Sequence, residues 1–392
     1  MKLSDRVCNL EESATMAVTS RAGAMRREGV DVVSFGAGEP DFPTPDLIRA
    51  AAYKAIDEGK TKYATPASGV LPLKEAVVRK LRRENELEYD AANEVIVTVG
   101  GKEALFLAFA SLLDPGDEVI IPAPYWVSYP EQVKLCDGVP VYVNGMPDQG
   151  FKISPEQLEA AITPRTKAVV FNSPSNPGGF AYTPEETEKL SHVLEESEIV
   201  VFSDEMYDRL LYGGRTYKSY ASCSEHARRH TITFNAGSKT YAMTGWRIGY
   251  AAAPREIISA MAKVQTQTTS GTSTFAQYAL AAALDADQSI VDEFRKEFER
   301  RAVHIHKRLS SIDGVRCFEP QGAFYIFPDV SGTFDRVRVS NSIEFASKLL
   351  EEAHVAVVPG AAFGMDSGIR LSFATSMEQI DTGLDRMEQF LT

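Results

Sequence analysis

Lys239 is the residue around which the chemistry of this chain can be arranged. It follows an apolar run, Thr231-Ile232-Thr233-Phe234, that predicts a buried strand. Small residues surround it, with Ala236, Gly237 and Ser238 before and Ala242 and Gly245 after. A lysine at such a strand end is open to close approach by backbone or by a flat ligand. Arg247 follows in the same stretch and leads into a second apolar run, Ile248 to Ala253. An amine able to form a Schiff base, beside a guanidinium able to hold a phosphate, is the pair that pyridoxal phosphate requires. The plainer alternative is a surface lysine at a strand-to-loop turn.

Other residues could complete such a site. Glu94 to Val99 predicts a strand, followed by Gly100-Gly101 and the helical run KEALFLAFASLL. Strand, glycine pair and helix N-terminus together make an anion site, with Gly101 and Lys102 as candidates to offer phosphate-binding amides. No G-x-G-x-x-G or G-x-x-x-x-G-K-[ST] occurs there, which weakens a nucleotide reading. Asp204 stands just past an expected strand, Ile199 to Phe202. It could cap a helix, or it could sit beside a pyridine nitrogen and keep it protonated, so that the ring accepts electrons. Tyr207 would then hydrogen-bond the phenolic oxygen of the same ring. Asn176, in NSPSNPGG after the expected strand Ala168 to Phe171, has an amide that suits both that oxygen and a substrate carboxylate. Trp126 is one of two tryptophans and follows the expected strand Glu118 to Pro122. It is a core residue or a ligand wall, and its place after a strand end favours the wall. Arg370 opens the run IRLSFA, where a surface ion pair is the default reading.

The elements that must position these residues alternate between strand and helix, which predicts an α/β fold. At 392 residues the chain is expected to form two domains. Helices are expected over Met16 to Arg27, Asp46 to Gly59, Ser289 to Ser310 and Ser342 to Ala353, and a Thr/Ser-rich turn, TQTTSGTST, is expected to line the substrate mouth. Hydrophobic residues make up 44% and charged residues 24%, the composition of a soluble globular protein. A net charge of −13 argues against nucleic acid or an anionic membrane as partner, so an anionic cofactor needs a local cluster of donors. The four cysteines are scattered, and His304 and His306 face different sides of a helix, so neither a disulfide framework nor a metal site is expected. The N-terminus has no apolar signal core and no run approaches a membrane span, which points to the cytoplasm.

The stretch SK-x-x-x-M-T-G-W-R-I-G resembles the cofactor-lysine signature of class I pyridoxal-phosphate-dependent aminotransferases, and the similarity runs from GAGEPDF near the start to GIRLSFA near the end. The chain resembles in particular the bacterial aspartate aminotransferases of subgroup I-beta. The resemblance implies a fold type I α/β architecture, a large domain with a mostly parallel seven-stranded sheet between helices and a smaller α+β domain. The implied boundaries are 1–45 for an arm and part of the small domain, 46–285 for the cofactor domain and 286–392 for the small domain. It implies transamination with pyridoxal 5′-phosphate on Lys239, between L-aspartate and 2-oxoglutarate, with aromatic amino acids, alanine or prephenate as alternatives. By the same resemblance, Gly38 meets the substrate carboxylate, Lys102 the distal carboxylate, Trp126 stacks on the cofactor ring, and Arg370 grips the α-carboxylate as a fork. Tyr63 reaches across a homodimer interface to the neighbouring subunit's cofactor phosphate, so the active sites are shared. Two positions depart from the pattern: Ala236 replaces a Ser or Gly, and Gly178 stands where N-P-T-G has threonine. Glu11 occupies a place where relatives carry a basic or neutral residue. The partner-derived second substrate arginine of other aspartate aminotransferases has no evident match. A carbon–sulfur β-lyase on the same scaffold would release pyruvate and ammonia without an acceptor. A non-catalytic regulator is disfavoured by the acidic charge and by the short stretch before GAGEPDF.

Overall fold

A computed structural model describes residues 2–146 and 149–392. Its strands in chain order are β1 (Val33–Ser34), β2 (Val95–Thr98), β3 (Glu118–Ala123), β4 (Val139–Asn144), β5 (Thr166–Asn172) and β6 (Val200–Asp204). They continue with β7 (Thr231–Ala236), β8 (Gly249–Ala252), β9 (Tyr325–Ile326), β10 (Val355–Ala356), β11 (Val358–Pro359) and β12 (Ile369–Ser372). Seven of them form one sheet in the order β2-β8-β7-β6-β5-β3-β4. All run parallel except β8, which is antiparallel to both β2 and β7. The architecture is the expected α/β fold of type I.

The apolar runs become strands because both sheet faces are covered. Val95 to Thr98, Val200 to Asp204 and Thr231 to Ala236 are buried at every position, so these strands read as continuous apolar stretches. Their ends fall within one or two residues of the expected ones. The sequence reading contains neither β4 nor the helix Leu71–Asn85. β4 lies at the sheet edge with Val139 and Tyr142 exposed, so its alternation is blurred. Pro72, at the start of the helix, resembles a breaker but suits a first turn.

The remaining strands belong to two small sheets, β1 with β10 in parallel and β11-β12-β9 in antiparallel order. They pack on the helices Ser289–Leu309, Ser342–Ala353 and Met377–Leu391, around a core that includes Phe298, Phe324, Phe345 and Leu371. The β1–β10 pairing ties the GAGEPDF loop to this unit, because Phe35 N donates to Ala356 O at 2.8 Å and Ser372 N donates to Phe35 O at 2.8 Å. Among the described residues no helix is long and apolar enough to cross a membrane.

Candidate active site

Parallel strands bring their C-terminal ends to one edge of the sheet, and that edge is where the candidate residues gather. β2 ends before the helix Gly100–Leu112, β3 before Trp126, β5 at Asn172 before the Asn176 loop, β6 at Asp204, and β7 before Lys239. In the register of β5 and β6, Asn172 is opposite Asp204. From the other side, β12 presents Arg370. A cavity of about 490 Å³ lies between them. It is lined by Gly38, Gly101, Lys102, Trp126, Asn176 and Asp204, and equally by Tyr207, Lys239, Arg247 and Arg370.

The helix Gly100–Leu112 opens with Val99 at its cap position and no side-chain cap, so the amides of its first turn are free to hold an anion. Gly100 has φ +72°, and a Cβ there would lie 2.7 Å from Nη2 of Arg247. Glycine therefore lets the guanidinium approach the start of the helix. Arg247 itself has φ 51° and donates from Nη1 to Thr244 O at 2.8 Å. Lys102 Nζ stands 5.1 Å over the Trp126 ring, and partial burial followed by the nearby Arg247 charge lowers its pKa.

Lys239 Nζ donates to Gly38 O. Burial, followed by the charge of Arg370, brings its pKa down to about 8. Asp204 caps no helix. Its carboxylate accepts from Tyr129 Oη at 2.5 Å and from the amide of Met206 at 3.2 Å. Burial pushes its pKa up to about 6, and the two donors and the Lys239 charge limit the rise. Tyr207 Oη lies 3.1 Å from Tyr325 Oη, and burial raises both phenols.

Arg370 is 2% exposed, so the surface ion pair expected by default is absent. Its Nη1 donates to Asn176 Oδ1 at 3.1 Å and its Nη2 to Gly36 O at 2.7 Å, while Nε is buried without a partner. The guanidinium lies over the rings of Tyr325 at 4.7 Å and Phe363 at 5.1 Å. Among the described residues no carboxylate pairs with it. A buried cation held only by neutral acceptors, with a free N–H, is a receptor for an anionic group.

The structure also places two residues and one segment that the sequence singled out. Tyr63 is 88% exposed and does not line the cavity. The Thr/Ser-rich turn, expected at the substrate mouth, does not line the cavity: Thr272 Oγ1 donates to Arg247 O at 3.0 Å and Thr274 Oγ1 to Lys62 O at 2.6 Å. Glu11 is exposed and its amide donates to Glu131 at 3.0 Å, while the arm reaches the cavity through Ser13, Thr15, Met16 and Thr19. At the two departures, Ala236 is buried, and a side chain at Gly178 would collide with the Phe180 ring. The sequence reading missed Tyr129 and Tyr325. Each sits in a motif already singled out, PAPYWVSY and QGAFYIF, but nothing local marks which tyrosine turns inward.

The family model for aminotransferase class I and II matches residues 30–387. An aspartate aminotransferase of Geobacillus stearothermophilus is 49% identical over 391 residues, spanning 100% of this chain and 99% of that one. An aspartate/prephenate aminotransferase of Cereibacter sphaeroides is 47% identical, with 99% and 98% covered. The solved structure of an aspartate aminotransferase from Thermus thermophilus with maleate is 45% identical, and it superposes with a TM-score of 0.94 over 100% of both chains. Fold and site thus define an enzyme that transfers amino groups. The chain belongs to the class I and II aminotransferases.

Proposed function

We propose that this aminotransferase uses pyridoxal 5′-phosphate to move the amino group of L-aspartate to 2-oxoglutarate, yielding oxaloacetate and L-glutamate, as a cytoplasmic homodimer with shared sites. The observation that carries the reading is Arg370, a buried guanidinium without an acidic partner, facing the same cavity as Lys239 and Lys102. The relatives named aspartate aminotransferase support the same substrate.

The residues present fit the cofactor. The uncapped amides of Gly101 and Lys102, with Arg247 against Gly100, suit its phosphate. Asp204 suits its ring nitrogen, Tyr207 and Asn176 its ring oxygen, Trp126 its ring face and Lys239 its aldehyde carbon. When bound, the cofactor supplies an electron-poor ring that draws electrons from the substrate Cα.

In this reading the chain's own groups do the rest. Arg370 holds the α-carboxylate as a fork, which fixes the direction of the Cα–H bond. Gly38 adds a main-chain contact to the same carboxylate. Lys239, with its pKa near 8, has a usable neutral fraction, so Nζ takes the proton from Cα and later returns it. Asp204 would offer its carboxylate to the ring nitrogen, and Tyr129 holds that carboxylate in place. Lys102, over Trp126, meets the distal carboxylate of aspartate or glutamate. Tyr63 acts in the partner's site, which its exposure and the exposed Tyr53, Ile56 and Leu71 nearby in sequence support. Residues 1–45 with 286–392 form one lobe and 46–285 the other.

The test is single-turnover kinetics of the cofactor-loaded enzyme, following its visible absorption band with aspartate, glutamate, alanine, tyrosine and phenylalanine in parallel. Fast reaction with aspartate and glutamate, slowed by Lys102→Ala, is expected. A preference for alanine or the aromatic donors would overturn the substrate. Prephenate in place of 2-oxoglutarate tests the second acceptor named for the Cereibacter relative. Full transamination by Lys239→Ala without an added amine would remove Lys239 from its role.

A further inference from the structure

Directly after Asp204, the chain buries a second carboxylate that the mechanism does not use. Glu205, one residue past β6, is fully buried at 0% exposure, and its side chain lies with that of Ser203, the neighbour of Asp204 in the strand. Its Oε1 accepts from Ser203 Oγ at 3.0 Å and Ser219 Oγ at 2.5 Å, and its Oε2 accepts from Asn85 Nδ2 at 2.9 Å. All three neighbours donate, which suits a carboxylate that only accepts. The main chain of the same residue is gripped as firmly. Glu205 N donates to Phe234 O at 2.9 Å, and Glu205 O accepts from Asn235 Nδ2 at 2.8 Å and from Asp208 N at 3.2 Å.

The cluster extends away from the cavity. Asn85 Oδ1 accepts from Lys80 Nζ at 2.8 Å, and Lys80 also pairs with Asp208. Glu84, on the same helix as Lys80, pairs with Arg209 at 2.9 Å. The buried hydroxyl of Tyr217 lies close to Glu205, and Oδ1 of Asp208 is buried without a hydrogen-bond partner. Burial raises the Glu205 pKa to about 7, against the pull of Ser219 and Lys80.

We infer that Glu205 is a positioning residue for amino-group transfer: by clamping the turn 203–208 to the helix Leu71–Asn85, to Ser219 and to β7, it fixes where Asp204 and Tyr207 stand in the cavity. The geometry supports this in a specific way. Asp204 and Tyr207 flank Glu205 in the turn, and the one main-chain bond that shapes the Asp204 side chain comes from Met206, on the other side of Glu205. Loosening Glu205 therefore moves both groups together, and a misplacement of about 1 Å is costly in such sites. The inference rests on the functional reading above.

Its test compares Glu205→Gln, Glu205→Ala and Ser219→Ala with the wild type. Glutamine keeps the acceptor for Ser203 and Ser219 but sets a donor against Asn85, so it retains more function than alanine. Ser219→Ala removes a single donor and spares the fold if either Glu205 variant fails to fold. The expected result is a fall in kcat of about tenfold or more for Glu205→Gln with little change in KM. The 15N chemical shift of the ring nitrogen of labelled pyridoxal phosphate, bound to the variant, is expected to move toward its unprotonated value as Asp204 drifts. The melting temperature of the cofactor-free protein gives the structural contribution separately. Wild-type kcat and an unchanged ring-nitrogen shift in folded Glu205→Gln and Ser219→Ala would overturn the inference. So would a loss of kcat that tracks the melting temperature and vanishes on cooling. A wild type that fails to transfer amino groups at all would instead overturn the functional reading, and this inference with it.

Discussion

Burial shifts the pKa values of two groups on which the proposed chemistry rests, and it does so in opposite directions. Lys239 is brought from 10.5 to about 8. Its neutral form is favoured in the folded chain, so its contribution to stability is present at high pH and is lost as pH falls through about 8. Stopped-flow capture of pyridoxal phosphate by cofactor-free protein is accordingly expected to accelerate through pH of about 8, well below the ordinary lysine value of 10.5. Asp204 is raised from 3.8 to about 6. The folded chain holds its proton more tightly than the unfolded one, so this contribution is present below 3.8 and is lost as pH rises through about 6. Asp204→Asn is expected to flatten the decline of the cofactor-free melting temperature across that window, as read by calorimetry at a series of pH values. In the proposed role of Arg370 as holder of the α-carboxylate, the fork geometry matters more than the charge. Arg370→Lys is expected to raise KM for the amino donor by about tenfold or more while leaving cofactor affinity unchanged, since an ammonium cannot make two parallel bonds to one carboxylate.

Local backbone conformation builds the elements that present these groups. In the proposed phosphate site Gly100 has a left-handed φ of +72°, which costs a residue with a Cβ about 1–2 kcal/mol, before its contact with Arg247 is counted. Gly100→Ala is expected to fold, yet to lose pyridoxal phosphate on dialysis more readily than the wild type, with its Kd read from fluorescence titration. Much of this level was legible in the sequence. The strand, glycine pair and helix pattern predicted the helix start at Gly100, and the apolar run before Lys239 placed it at a strand end. β4 was not legible, because an edge strand with Val139 and Tyr142 exposed does not alternate cleanly. The Thr/Ser-rich turn was misplaced because its composition says only that it is a turn, while its hydrogen bonds to Arg247 and Lys62 depend on what packs beneath it.

At the scale of the whole molecule, the proposed homodimer decides the role of Tyr63. It is 88% exposed in one chain and does not line that chain's own cavity. If it completes the partner's site, mixing Lys239→Ala with Tyr63→Phe subunits produces hybrid dimers with one unaltered site, and activity above that of either parent is expected in the mixture. If Tyr63 acts within its own chain, or not at all, mixing restores nothing. Reversible dissociation followed by assay of the mixture decides between these outcomes.

Sequence alone determined the residue types, their order and the elements that carry them, because periodicity, turn chemistry and the glycine pair are properties of neighbouring residues. It placed ten candidate residues that the structure does bring to one cavity. Only the tertiary structure decided which groups touch. Tyr129 meets Asp204 across 75 residues, Tyr207 meets Tyr325 across 118, and Arg370 meets Asn176 across 194. It also decided the charge states, since desolvation depends on everything packed around a group and not on the residues beside it in the chain. The burial of Arg370 without a carboxylate partner and the hydrogen bonds that gather on Glu205 are facts of that packing, and no local pattern encodes them.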